Sequence, residues 1–106
     1  MTYAVEFGPE ARDQLASIED HIAAAASPVA AAQYVDAIVA QCAGLGDFPL
    51  RGRARDDLMV GLRFTYFRGR VAIAYRADEL TRVVSIVGVF YGGQDYESQF
   101  PGITDG

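Results

Sequence analysis

The sequence predicts an α+β domain of element order β-α-α-β-β-β, with a helical hairpin packed on one face of a four-stranded, mostly antiparallel sheet. Three observations predict it. A short segment of alternating polarity opens the chain, two segments of helical period follow with almost no linker, and three period-two segments separated by turn residues close it. The 106 residues are 51% hydrophobic and 22% charged, the composition of one globular domain and not of a disordered chain.

Thr2–Phe7 reads as the first strand, because Tyr3, Val5 and Phe7 alternate with Thr2, Ala4 and Glu6. Gly8-Pro9 ends it and opens a helix over residues 9–26. Pro9 sits at the first helical position, and Glu10 and Asp13 lie where the helix dipole favours anions. Leu15, Ile18 and Ile22 share one face of that helix. Ser27-Pro28 starts a second helix, with Ser27 as N-cap and Val35, Ile38, Val39, Cys42 and Leu45 on its apolar stripe. Gly46 reads as the C-cap, and Phe48-Pro49 prevents continuation. With so short a junction the two helices fold back as a hairpin, and Ala23–Ala26 and Ala30–Ala32 allow a close approach there.

Residues 49–61 read as a loop. In residues 61–67, Leu62, Phe64 and Tyr66 alternate with Arg63 and Thr65; in 70–77, Val71, Ile73 and Tyr75 alternate with Ala72, Ala74 and Arg76. Arg68-Gly69 and Asp78-Glu79 are the turns between strands. Residues 81–91 are apolar on both faces, which predicts a central strand. Residues 1–91 thus form the domain, and residues 92–106, glycine-rich and aperiodic, read as an extended or flexible tail.

Charge is unevenly spread along a chain of net charge −5. Residues 1–50 hold seven acids and one base, residues 51–91 hold eight arginines and four acids, and residues 92–106 hold three acids and no base. Every basic residue is Arg, whose planar fork suits carboxylate or phosphate. Arg51, Arg53 and Arg55 alternate in the loop, and Arg63, Arg76 and Arg82 are expected off the non-core sheet face or edge. Together they read as an anion-binding surface. The competing expectation is a surface neutralised by Asp56, Asp57, Asp78 and Glu79. The acidic net charge argues against direct nucleic-acid binding.

Several chemistries are excluded. No apolar run reaches the length of a membrane span, and Met1–Phe7 has no basic region of a secretory signal. One cysteine and one histidine make neither an internal disulfide nor a Cys/His zinc cluster, so a reducing, cytoplasmic setting is expected. Neither phosphate-loop motif occurs, and no cofactor or metal is expected. His21 reads as a surface or helix-end residue without an assignable nucleophile, and Cys42 as a buried small hydrophobe.

The residues resemble those of the RelE/ParE toxins. The resemblance runs through Tyr3-x-Val5-x-Phe7, Ala11-x-x-x-Leu15-x-x-Ile18, Ser27-Pro28-x-x-Ala31-x-x-Tyr34 and Leu45-x-x-Phe48-Pro49. It continues through Arg51-Gly52, Arg55-Asp56, Gly61-Leu62-Arg63, Ile73-x-Tyr75-Arg76 and Ile86-x-x-Val89-Phe90-Tyr91-Gly92-Gly93-x-Asp95. The ordered series, more than any one motif, is similar to the ParE branch, although position 91 is often His in ParE-like chains and is Tyr here. The resemblance implies a toxin of a type II toxin–antitoxin module, neutralised by a co-encoded ParD-like antitoxin whose C-terminal segment wraps it. ParE-type toxins poison DNA gyrase, whereas RelE-type relatives cut messenger RNA on the ribosome. RNA cleavage needs charge clamps and proton carriers. Residues 92–106 supply no base, so the expectation is a non-catalytic gyrase poison, with ribosome-dependent RNA cleavage as the alternative. The expected antitoxin-binding residues are Arg51, Arg53, Arg63, Tyr75 and Arg76. On resemblance, the target-binding residues are Tyr91, Asp95, Tyr96 and Phe100.

Overall fold

The computed structural model describes residues 2–92. Residues 93–106, with Asp95, Tyr96 and Phe100, lie outside the described residues. The elements are β1 (Ala4–Phe7), α1 (Pro9–Ala25), α2 (Pro28–Gly44), β2 (Arg53–Ala54), β3 (Leu62–Phe67), β4 (Val71–Asp78) and β5 (Val83–Tyr91). The sheet order is β1-β5-β4-β3-β2. Among the described residues only β1 and β5 run parallel; every other pair is antiparallel. Central placement of β5, between β1 and β4, accounts for its apolar residues on both faces. Among the described residues no helix is long and apolar enough to cross a membrane.

Local chemistry sets the boundaries. Pro9 and Pro28 each stand at a helix start, and Ser27 Oγ accepts from Ala30 N at 3.0 Å, satisfying an amide the second helix leaves unpaired. The β3–β4 connection has positive φ at both Arg68 (52°) and Gly69 (65°), the conformation of a type I′ turn, whose twist matches that of the strands. At the β4–β5 connection Asp78 Oδ1 accepts from Leu80 N at 2.9 Å.

Two apolar clusters sandwich the sheet. On the helical side Ala11, Ile18, Ile38, Cys42 and Leu45 pack on Phe67, Val71, Ile73, Tyr75, Val84, Ile86 and Val89. On the other side Leu58 covers Leu62, Phe64, Ala72, Ala74 and Phe90, with Met59 and Val87 beside them. Strict alternation would put Ile86 and Val89 on opposite faces. A bulge in the β4–β5 ladder between Ala74 and Tyr75 gives β5 one extra residue, so both reach the helices.

Three expectations need correction. Among the described residues the sheet has five strands, because Arg53 and Ala54, inside the expected loop, pair with Phe64 and Arg63. A two-residue strand has no periodicity to read. Gly46 is not the helix cap: α2 ends at Gly44 with Leu45 as its cap. Gly46 is instead fixed by the first strand, for a Cβ there would lie 2.5 Å from Tyr3 O, and Tyr3 N donates to Gly46 O at 2.8 Å. Finally, Val39 is 38% exposed, so the apolar stripe of α2 narrows to Val35, Ile38, Cys42 and Leu45.

Candidate functional site

The predicted surface residues divide between the two faces of the sheet. Register aligns Arg53 with Phe64 and Arg76 with Leu62, which places both arginines on the helix-free face. Arg63 alternates with Phe64 and shares the face of Phe67, toward the helices. The expectation that Arg63 leaves the non-core face is therefore corrected. Its Nη1 donates to Gly52 O at 2.7 Å and to Leu50 O at 3.2 Å.

Tyr75 joins it there. Tyr75 is fully buried, and its hydroxyl accepts from Gly52 N at 2.7 Å. Burial pushes the phenol up from its ordinary value, opposed by the Gly52 hydrogen bond and by Arg63 and Arg51. Tyr75 thus presents no surface to a partner; it holds the loop from within. Gly52 must be glycine, since a Cβ would lie 2.7 Å from both Phe64 O and Tyr75 Oη. The clamped loop carries Phe48 and Leu50 outward, 62% and 57% exposed, with the Arg51 guanidinium 5.7 Å from the Phe48 ring centre. Phe48, Pro49, Leu50 and Arg51 line a largely apolar cavity of about 430 Å³.

Three of the four acids expected to neutralise this region, Asp56, Asp57 and Asp78, are engaged in their own loops. Arg55 grips Asp57 through two bonds of 2.9 and 2.8 Å, holding that carboxyl below the usual carboxylate range. Asp56 Oδ1 accepts from Gly61 N at 2.8 Å, and Asp78 Oδ1 from its own turn. Among the described residues Arg51, Arg53, Arg63 and Arg76 make no ion pair. Of the arginines expected to bind an anion, Arg53 and Arg76 stand on the helix-free face, Arg63 on the helical side and Arg51 in the loop against Phe48.

A second cluster lies at the far end of the sheet. Tyr91 packs 5.4 Å from His21 and 6.2 Å from Tyr34, ring centre to ring centre, and Tyr34 meets Phe67 edge-on at 5.3 Å. Arg68 lies 4.7 Å over Phe67. Exposed His21, half-buried Tyr91 and Gln14 border a cavity of about 230 Å³ between α1 and β5. Cys42 is buried, its thiol pushed up to about 12 by desolvation. No group of His, Cys, Asp and Glu among the described residues is placed to hold a metal.

Sequence reasoning did not single out Phe48 and Leu50 as site residues. Two large apolar residues around Pro49, in a loop otherwise rich in charge, were the available signal.

Comparison with known proteins places the chain. Its sequence matches the profile of the ParE toxin of type II toxin–antitoxin system, parDE, over residues 5–96. A comparison with curated protein sequences returns no match. Among solved structures it is similar to a chain of the chromosomal ParDE system from P. aeruginosa, at TM-score 0.72 and 22% identity over 86% of this chain and 97% of that one. A chain of the RelBE2 toxin–antitoxin complex from Mycobacterium tuberculosis superposes at TM-score 0.68 and 25% identity, covering 89% of this chain and 95% of that one. A variant of the E. coli toxin RelE in the free state superposes at TM-score 0.66 and 12% identity, with 94% of each chain covered. With one profile spanning most of its length and the same strand–hairpin–sheet order, the chain belongs to the ParE family of type II toxin–antitoxin toxins.

Proposed function

We propose that the protein inhibits DNA gyrase through protein–protein contact in the cytoplasm, and that a co-encoded ParD-like antitoxin neutralises it. The observation that carries the non-nucleolytic reading is the match to the ParE toxin profile over residues 5–96. His21, the single histidine, packs on Tyr91 on the helical side, where Arg68 is stacked over Tyr34 and Phe67, whereas Arg53 and Arg76 stand on the opposite face of the sheet. Phosphodiester cleavage needs a proton carrier and charge clamps converging on one phosphate. The family match and the similarity to the P. aeruginosa ParDE chain support gyrase and a ParD-like partner.

On this reading Arg51, Arg53 and Arg76 meet an acidic antitoxin segment, with Arg63 and Tyr75 acting beneath them. Tyr91 takes part in target contact together with Asp95, Tyr96 and Phe100, which lie outside the described residues. Purified gyrase and relaxed plasmid provide the test. Added toxin should block supercoiling and trap cleaved DNA, and antitoxin should reverse both effects. Full supercoiling at large toxin excess, together with codon-phased transcript ends after expression, would replace this reading with ribosome-dependent RNA cleavage.

A further inference from the structure

We propose that the loop Phe48–Arg51 is a preformed docking point for an antitoxin segment that carries apolar side chains flanked by carboxylates. The inference rests on the toxin–antitoxin reading and adds to it a specific apolar site and the chemistry of its occupant.

Three features support it. Phe48 and Leu50 are more than half exposed and belong to neither apolar cluster. Beside them is a largely apolar cavity of about 430 Å³, open to solvent and large enough for more than one aliphatic side chain. The loop that holds them is not free to collapse. Gly52 N is tied to Tyr75 Oη at 2.7 Å, and Leu50 O and Gly52 O are both bound by Arg63. Arg51 N adds a turn bond to Phe48 O at 3.1 Å. A partner meeting this loop has little ordering entropy left to supply, which is the advantage of preorganisation.

Charge selects the occupant. Arg51 lies against Phe48, Arg53 follows it two residues on, and neither makes an ion pair among the described residues, while Asp56 and Asp57 are engaged within their own loop. Asp47, on the other flank, is the one exposed carboxylate adjacent in sequence. A carboxylate on the partner would complete both arginines, and an apolar side chain between carboxylates would fill the cavity. A second copy of this chain would instead bring its own arginines against these, a like-charge contact.

The experiment titrates the full-length chain with the protein encoded by the adjacent reading frame. The two are purified together, separated in denaturant and refolded. The Phe48→Ser/Leu50→Ser double variant should weaken the complex by at least about 30-fold, the scale of a hot-spot loss. Its thermal midpoint should stay close to the wild type, because neither side chain supports the core. Arg51→Glu should weaken binding more at low salt than at high salt. A dissociation constant within about twofold of wild type for both variants would overturn the inference and leave the toxin–antitoxin reading standing. Absence of binding by the wild-type chain would overturn the reading itself. Conversion of a wild-type homodimer to monomer by the double variant, with antitoxin affinity unchanged, would make a second copy the occupant and also overturn the inference.

Discussion

Gly52→Ala tests how tightly the loop is built. The new methyl would lie 2.7 Å from Phe64 O, 2.7 Å from Tyr75 Oη and 2.8 Å from Tyr75 Cε1. One of these is sheet backbone and the others belong to a fully buried ring, so no flexible chain end can yield. Overpacking of this kind costs about 1–3 kcal/mol. If the loop withdraws instead, the Gly52 amide loses Tyr75 Oη and a buried polar group is left unpaired, at a similar cost of about 1–3 kcal/mol. We expect a loss of about 3 kcal/mol in urea unfolding, read as a lower midpoint at constant slope. Tyr75→Phe alone removes the acceptor and should cost about 1.5 kcal/mol. The two are coupled, because removing the hydroxyl also removes one of the three clashes. The double variant should therefore be about 1 kcal/mol more stable than the summed single losses imply. Additivity within about 0.3 kcal/mol would refute the reasoning and mean that the loop relaxes away from Tyr75 without resistance.

Other consequences follow from the same packing. Ile38 is fully buried between α2 and the sheet, and Ile38→Ala should cost about 3 kcal/mol, measurable as a lower thermal midpoint. Gln14→Ala removes the 2.6 Å acceptor of Val89 N at the outer edge of β5; it should cost about 1 kcal/mol and speed hydrogen exchange at that amide. Burial raises the Cys42 thiol from 9.0 to about 12, so its share of the folding free energy is complete below pH 9 and is lost as pH rises toward 12. Tyr34 and Tyr75, both raised above 10.0 chiefly by burial, act with the same sign at still higher pH. Stability measured from pH 8 to 11 should thus be flat at first and then fall, less steeply in Cys42→Ala.

Most of the fold was legible because its elements carry strong periodic signals. Leu15, Ile18 and Ile22, the Ser27-Pro28 start and the alternation through β3 and β4 each have one physical reading. What escaped reading depends on contacts distant in sequence. Gly46 looks like a helix cap from its neighbours alone, and only Tyr3, 43 positions earlier, gives it another task. Arg63 alternates with apolar Leu62 and Phe64, and the simplest inference puts it in solvent. The sheet, however, has an apolar cluster on both faces, so being opposite one buried side chain does not mean facing water. Tyr75 shows the converse, for its alternation correctly marks a buried ring but cannot reveal that its hydroxyl closes on a loop 23 residues away.

Arg63→Lys separates charge from geometry at the centre of this arrangement. Both residues carry one positive charge, so an effect arising from field alone would survive the change. The structure asks more of position 63: one terminal nitrogen reaches two carbonyls, Leu50 O and Gly52 O, at 3.2 and 2.7 Å. A planar guanidinium holds such a pair with its stem already constrained, whereas an ammonium on a flexible stem is strongly hydrated and gives up more freedom per bond. Loss of one net hydrogen bond predicts about 1 kcal/mol of destabilisation. The loop would loosen while the local charge stayed constant. Antitoxin affinity should then fall with its salt dependence unchanged, the reverse of the pattern expected for Arg51→Glu. Equal affinity and equal stability in Arg63→Lys would mean that the carbonyl clamp contributes nothing and that position 63 serves only as a charge.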